Sequence, residues 1–351
     1  MPNPPNFDSF SCPKPLQPGD RIVLGHGSGG RLSRDLLERV ILPALGEAAP
    51  RSLDDAAIVE LAGGRAAFTT DSYVVRPLEF PGGDIGRLAV CGTVNDLAMI
   101  GATPVALSFG CILEEGLPLE TLSRILGSAR EAAREAGVYL AAGDTKVVER
   151  GKADGLFINT SGIGRLPEGK PISGAGAKPG DAVIVSGAVG DHGIAVLSAR
   201  EGLGFETELI SDVAPLSGLV AAMLAAGVVH VLRDPTRGGL ATSLVEIAAQ
   251  SGAGIDLEET AIPLHGPVRA ACEMLGFDPF YVANEGKLIA FVAEKDAQNI
   301  LSAMRAHRYG AEAAIIGRVR EDPRHRVHLH TAIGGTRILD MLPGEMLPRI
   351  C

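Results

Sequence analysis

Between Leu166 and Gly180 the chain carries Pro167, Gly169, Pro171, Gly174, Gly176, Pro179 and Gly180 among small residues. No regular helix or central strand survives that density, because proline lacks an N–H and glycine loses the most backbone entropy on folding. The segment reads as a linker, residues 167–180, and it forces the chain to build one core on each side. A length of 351 residues agrees, since single cores rarely grow beyond about 250–300 residues.

Residues 1–19 are proline-rich and read as an extension to which no role is assigned. The first domain, 20–166, opens with a short strand at Ile22, a turn over Gly25–Gly30, and a helical pattern carrying Leu36, Leu37, Val40 and Ile41 that Pro43 is expected to end. Strands follow at 56–61 and 66–70, a helix at 85–100 closed by Gly101, a strand at 105–113, and an amphipathic helix from Pro118 to Gly137. Strands at 138–142 and 156–163 complete an α+β domain. The second domain, 181–331, alternates again. Its strands are expected at 181–186, 228–232, 287–293, 313–319 and 326–330, and its helices at 193–201, 216–226, 239–250, 267–275 and 296–307. Residues 332–351 are left as a tail.

Hydrophobic residues make up 46% and charged residues 21%, the balance of a soluble globular chain. A net charge of -10, no basic run, no tryptophan and 4% aromatics argue against nucleic acid as a partner. The longest apolar stretch, Leu219 to Leu232, is broken by Gly227 and His230 and is too short to span a bilayer, and the start lacks the pattern of a signal peptide. Five cysteines, Cys12, Cys91, Cys111, Cys272 and Cys351, stand far apart with no Cys-x-x-Cys pair. They read as the reduced thiols of a cytoplasmic protein.

One device recurs in the first domain: an apolar element that delivers an acidic residue at its end. It occurs at Asp54-Asp55, Thr70-Asp71, Asn95-Asp96 and Gly143-Asp144-Thr145-Lys146. Singly, each aspartate is a turn or capping residue. Together they suggest a hard-cation site, in which Mg²⁺ held by carboxylates lets an acidic surface bind a phosphorylated ligand, with Lys146 meeting a phosphate. In the second domain Arg233-Asp234-Pro235-Thr236-Arg237-Gly238-Gly239 lies between strand and helix and offers two arginines to an anion. Asn284-Glu285-Gly286-Lys287 ends a loop before a strand, and Gly190-Asp191-His192-Gly193 opens a helix.

Three other patterns are set aside. Gly164 to Lys170 matches the start of a phosphate-binding loop, but Pro171 replaces the Ser or Thr and no helix follows. Gly25, Gly27 and Gly30 fit a dinucleotide fingerprint without a convincing parallel βαβ unit behind them. His325, His328 and His330 read as a polar edge strand rather than a metal site.

The chain ends Pro348-Arg349-Ile350-Cys351. Either this is a frayed end with an incidental cysteine, or it is a swinging carrier: ten extended residues reach roughly 33 Å, enough to carry a sulfur from solvent into a cleft.

With those residues in view, the chain from about Ile22 to Cys351 resembles the carbamoyl dehydratase family of hydrogenase maturation factors, within the aminoimidazole-ribonucleotide-synthetase-like (PurM-like) ATP-binding superfamily. The acidic motifs mark the superfamily, and the terminal Pro-Arg-Ile-Cys marks the family. The resemblance implies an α+β, two-domain architecture: an N-terminal mixed-sheet or half-barrel domain that dimerises through its sheet, a C-terminal α/β sandwich domain, and a flexible tail. It implies ATP held with Mg²⁺ by Asp54, Asp55, Asp71, Asn95, Asp96, Gly143, Asp144, Thr145, Arg233 and Arg237, the metal falling to Asp55, Asp71, Asp96 and Asp144. It implies catalysis by Cys351, Lys146 and Glu285. In that family HypF carbamoylates the terminal cysteine, ATP drives dehydration of the thiocarbamate to a thiocyanate, and cyanide passes to iron on HypC and HypD. The alternatives are a superfamily small-molecule kinase or amide-activating synthetase, neither of which needs Cys351, or a thiol carrier without catalysis.

Overall fold

The computed structural model describes residues 21–50, 53–169, 172–203, 209–342, 344, 347 and 349–351. The 1–19 extension and Cys12 lie outside these. The first helical stretch runs through α1 (Gly30–Leu36), a π turn at Leu37–Ile41 and α2 (Leu42–Leu45). Pro43 was expected to end this helix, but the helix continues past it. The i→i+5 turn just before the proline absorbs the missing N–H and the ring's bulk.

A five-stranded sheet follows, built from β1 (Ala57–Leu61), β2 (Gly64–Tyr73), β5 (Thr103–Glu114), β6 (Tyr139–Val148) and β7 (Leu156–Arg165), in the order β1-β2-β7-β5-β6. Only β5 and β6 run parallel. A small hairpin, β3 (Glu79–Phe80) and β4 (Gly83–Asp84), was not anticipated and leads into α3 (Ile85–Met99). Asp84 caps α3, its carboxylate accepting from the N–H groups of Gly86 and Arg87 at 2.8 and 2.9 Å. α4 (Leu119–Ala136) packs beside it and ends on Gly137 in the left-handed region.

α3 is buried on nearly every side, as its all-round apolar sequence requires. It lies across β2, β5 and β7, and its end joins Ala98 and Met99 to the core of the second domain. Approach to β2 is close enough that a Cβ at Gly92 would stand 2.3 Å from the Tyr73 hydroxyl, so only glycine fits.

The second domain centres on a seven-stranded sheet of β8 (Ala182–Val185), β9 (Val229–Arg233), β10 (Gly254–Glu258), β11 (Ile289–Val292), β12 (Ala314–Arg320), β13 (Val327–His330) and β14 (Thr336–Leu339). Their order is β14-β13-β10-β12-β8-β11-β9. Helices α5 (Asp191–Glu201), α6 (Ser217–Ala226), α7 (Gly239–Ser251), α8 (Gly266–Leu275) and α9 (Ala297–Ala306) surround it. Alternate residues of β8 feed opposite cores: Val183 and Val185 pack with α7, Ala182 and Ile184 with α6 and α9. A strand buried on both faces explains the unbroken apolar run in its sequence.

Residues 336–339 fall in the stretch set aside as tail. They form β14, paired antiparallel to β13 at the sheet edge, so the ordered domain extends beyond residue 331. Among the described residues no helix is long and apolar enough to cross a membrane.

Candidate active site

Where the two domains meet, a cleft of about 220 Å³ is lined by Asp55, Asp71 and Asp96 from the first domain and by Asp234, Arg237 and Glu285 from the second, with Thr69, Thr70, Gly92 and Thr236 between them. Cys351 completes the wall. The last residues therefore lie in a built groove. Val74 N–H donates to the Cys351 carboxylate at 3.1 Å, Arg76 N–H to the Arg349 carbonyl at 3.4 Å, and the Arg349 guanidinium returns a bond to Val74 O at 3.0 Å while pairing with Asp154. Ile350 is 3% exposed. The expectation of a wholly mobile tail gives way here to a docked one, because both carbonyls and the one apolar side chain of Arg349-Ile350 find partners.

Each acid reaches the cleft by a different local device. Asp71 sits on β2 and accepts from Ser72 N–H at 2.7 Å. Asp96 projects from α3, and Thr69 donates to it at 2.9 Å. Asp55 precedes β1 and pairs with the Arg233 guanidinium at 3.2 Å. Asp234 and Arg237 occupy the turn between β9 and α7, and Arg237 also donates to Gly27 O at 2.8 Å, tying the glycine-rich turn to the cleft rim. Glu285 is held by its own backbone, whose N–H donates to Asp212 at 2.9 Å, while its side-chain Oε1 is buried without a partner.

Crowding of like charge in a dry place shifts every one of these groups. Burial pushes Asp55 up to about 8, opposed by Arg233 and reinforced by Asp234 and Asp54. Burial takes Asp234 to about 6, again against Arg233. Asp96 and Glu285 are raised well above the carboxylate range, by burial first and then by Asp234 and Asp71. The Cys351 thiol is pushed up to about 12 by burial, with Arg237 pulling the other way. Acids that repel one another in a cleft suit a ligand that arrives with cations. Among the described residues no three carboxylate, imidazole or thiol groups already stand at ligating distance of one point. An ion there would complete its shell from the ligand it accompanies, which is how Mg²⁺ usually sits with phosphates.

Several residues singled out from the sequence stand elsewhere. Asn95 is 1% exposed and spends its amide on the domain interface: it accepts from Leu216 N–H at 2.8 Å and donates to Ala214 O at 3.1 Å and Glu285 O at 3.4 Å. It is a clamp behind the cleft. Asp54 accepts from Ser173 Oγ and Gly174 N–H at 3.0 and 2.9 Å, anchoring the linker. Arg233 pairs through Nη1 with Asp55 and Glu246, outside the cleft lining, while its Nε and Nη2 are buried without a partner among the described residues. Gly143, Asp144, Thr145 and Lys146 do not line the cleft of their own chain. They lie within β6, an edge strand separated from β2 by β7 and β5, where Lys146 pairs with Asp144 at 2.7 Å in solvent. The metal set of Asp55, Asp71, Asp96 and Asp144 is thus not assembled in one chain; Asp234 takes the fourth place in the cleft wall. Its signal was present in the Arg-Asp-Pro-Thr-Arg turn, which also contains Thr236, whereas Thr69 carried none beyond adjacency to Thr70-Asp71.

Two family models match, "AIR synthase related protein, N-terminal domain" over residues 53–166 and "AIR synthase related protein, C-terminal domain" over residues 178–330. Carbamoyl dehydratase HypE of Cupriavidus necator is 56% identical over 333 residues, covering 94% of this chain and 95% of that one. The chain belongs to the HypE family of carbamoyl dehydratases. HypE of Escherichia coli K12 is 46% identical over 337 residues, covering 95% of this chain and all of its own length. Among solved structures, a HypE–HypF complex superposes with a TM-score of 0.83 at 50% identity, covering 88% of this chain and 99% of that one. A HypE in complex with ATP gives 0.80 at 50% identity, covering 93% and 98%. Thiamine monophosphate kinase from Aquifex aeolicus, at 18% identity and a TM-score of 0.63, shares the fold alone. HypE membership, reaching through nearly the whole chain, sets aside the kinase, synthetase and non-catalytic carrier as readings of this enzyme.

Proposed function

We propose that the chain uses ATP to dehydrate a carbamoyl group carried on the Cys351 sulfur, turning the S-carboxamide into a thiocyanate for the cyanide ligands of a [NiFe]-hydrogenase iron centre. The observation that carries this reading is the placement of Cys351 in the acidic cleft beside Arg237 and Glu285. A HypE relative binds ATP and another is found in complex with HypF, which supports ATP as the energy source here and HypF as the carbamoyl donor. HypC and HypD are the proposed iron-bearing acceptors, and the cytoplasm the proposed compartment.

An amide oxygen is a poor leaving group. Transfer of the terminal phosphoryl group of ATP onto it lets it depart as phosphate while the C≡N bond forms, and the two amide protons leave to bases, so that the products are the thiocyanate, ADP and phosphate. Glu285 is the proposed base: its free Oε1 faces no partner, and burial makes it, once ionised, a stronger base than a solvated carboxylate. Arg237 orients and balances the anionic carbamoyl phosphate-like group. Asp55, Asp71, Asp96 and Asp234 would hold Mg²⁺, which supplies charge neutralisation for the phosphates when bound.

Lys146 enters only if a second copy supplies it. The face of the five-stranded sheet turned away from α3 exposes Phe68, Val105, Ile112 and Ile163, and the edge strand adds Tyr139 and Val147, an apolar surface fit for a homodimer. We place Lys146, with Gly143, Asp144 and Thr145, at the partner's cleft. Cys351→Ser tests the core of the reading: thiocyanate formation should vanish while calorimetry still detects ATP binding. Retained formation would overturn it.

A further inference from the structure

The acceptor groups on both sides of the Cys351 Cα, the Ile350 carbonyl and the terminal carboxylate, are held by different domains. Its own carboxylate accepts from Val74 N–H of the first domain at 3.1 Å. The carbonyl before it, that of Ile350, stands 3.0 Å from Nε2 of His192, on the first turn of α5. His192 is fully buried, its ring edge-on to Phe80 at 5.5 Å. Its Nδ1 lies 2.8 Å from Ser211 Oγ, and that same oxygen accepts from Val213 N–H at 3.2 Å.

A carbonyl only accepts, so Nε2 must carry the proton. Burial holds the imidazole neutral, so Nδ1 is an acceptor, and the Ser211 hydroxyl, already accepting from Val213, must donate to it. One proton arrangement satisfies all four groups. Ser211 is itself fixed, its N–H donating to Pro81 O of the first domain at 2.9 Å, and the next residue, Asp212, accepts from Glu285 N–H. Two adjacent residues of one loop therefore aim the imidazole at the tail and hold the backbone of Glu285. Arg349, just before, adopts the left-handed region at φ 54°. That conformation is unfavourable for a residue other than glycine, and it persists because its contacts over-determine it.

We propose that His192, aimed by Ser211, is a positioning residue: its Nε2–H grips the Ile350 carbonyl and so sets where the Cys351 sulfur stands in the cleft. With the carbonyl before it and the carboxylate after it both held, little freedom remains to the thiol beyond its own side-chain torsion, and the reacting groups meet at a fixed spacing. The inference rests on Cys351 as the reacting group, but its geometry can be tested without any chemistry on ATP.

The test is the rate of alkylation of Cys351 by iodoacetamide in the full-length chain, read at the Cys351 peptide by mass spectrometry. A docked thiol reacts slowly, and exposure follows undocking. His192→Leu removes one hydrogen bond from the docked state and should speed alkylation by about fivefold. His192→Gln places an amide donor near the Nε2 position and should return the rate to within about twofold of the parent. Ser211→Ala, which frees the imidazole tautomer, should fall between. An unchanged rate in His192→Leu overturns the proposal. So does equal acceleration in the Leu and Gln variants with equal loss of unfolding midpoint, which would mark a packing role. A chain whose Cys351 stays protected yet forms no thiocyanate with ATP would instead overturn the proposed reaction and leave the latch standing.

Discussion

Asn95 joins the domains directly behind the cleft, and its replacement measures how firmly. Its amide makes three hydrogen bonds across the interface, at 2.8, 3.1 and 3.4 Å, the last to the carbonyl of Glu285. With a net contribution near 1 kcal/mol for each good bond and less for the longest, Asn95→Ala should cost about 2–3 kcal/mol. The buried Leu216 N–H that it orphans moves the figure towards the upper end. Asn95→Asp keeps shape and the acceptor for Leu216 but turns an ionisable oxygen towards two carbonyls. Ionised, it repels both; protonated, it donates to one. Its folded pKa must exceed the unfolded value of about 3.9, so the variant should be near parental below pH 4 and lose stability as pH rises through the folded value. Urea unfolding followed by circular dichroism at pH 5 and pH 8 reads both effects. If Asn95→Ala stays within about 0.5 kcal/mol of the parent, or Asn95→Asp matches it at pH 8, the clamp is wrong.

The raised acids make a related prediction. Asp234 titrates near 6 when folded, so between about pH 4 and 6 the folded chain holds a proton the unfolded chain has lost, and stability present at low pH is lost as pH rises through that window. Relative to the parent, Asp234→Asn should therefore gain stability from pH 5 to pH 7 in a chelator, and an advantage that shrinks instead contradicts the account. For Lys146, chains carrying Lys146→Ala and Cys351→Ser should each be inactive alone. Unfolded together at equal amounts and refolded, they should regain about a quarter of parental activity, since half the dimers are mixed and each of those has one complete site. No recovery would mean that Lys146 acts within its own chain or not at all.

The two-core organisation was legible because proline and glycine punctuate backbones whatever their surroundings: 85–100 and 118–137 were read as helices, and α3 and α4 occupy them. β10 escaped because five residues, Gly254–Glu258, show only two inward apolar positions, Ile255 and Leu257. β14 escaped for a different reason. Thr336 to Leu339 has a single buried side chain, and its place is fixed by pairing with β13 rather than by its own pattern. The cleft shows the same division. Asp55, Asp71, Asp96, Arg237, Glu285 and Cys351 were found by residue type and motif, and the fold brings them together. What spacing along a chain does not contain is strand order, which puts Lys146 three strands away from Asp71, and the direction of an amide such as Asn95.

The reaction at the sulfur is tested most directly by the mass of the Cys351 peptide. Incubated with HypF and a carbamoyl source, the chain should gain a carbamoyl group at Cys351 and at no other cysteine. On addition of Mg²⁺ and ATP, that peptide should lose the mass of one water, and it should not do so with a non-hydrolysable ATP analogue. A carbamoyl group on Cys12, Cys91, Cys111 or Cys272, or a carbamoylated Cys351 that keeps its water while ATP is consumed, would contradict the account.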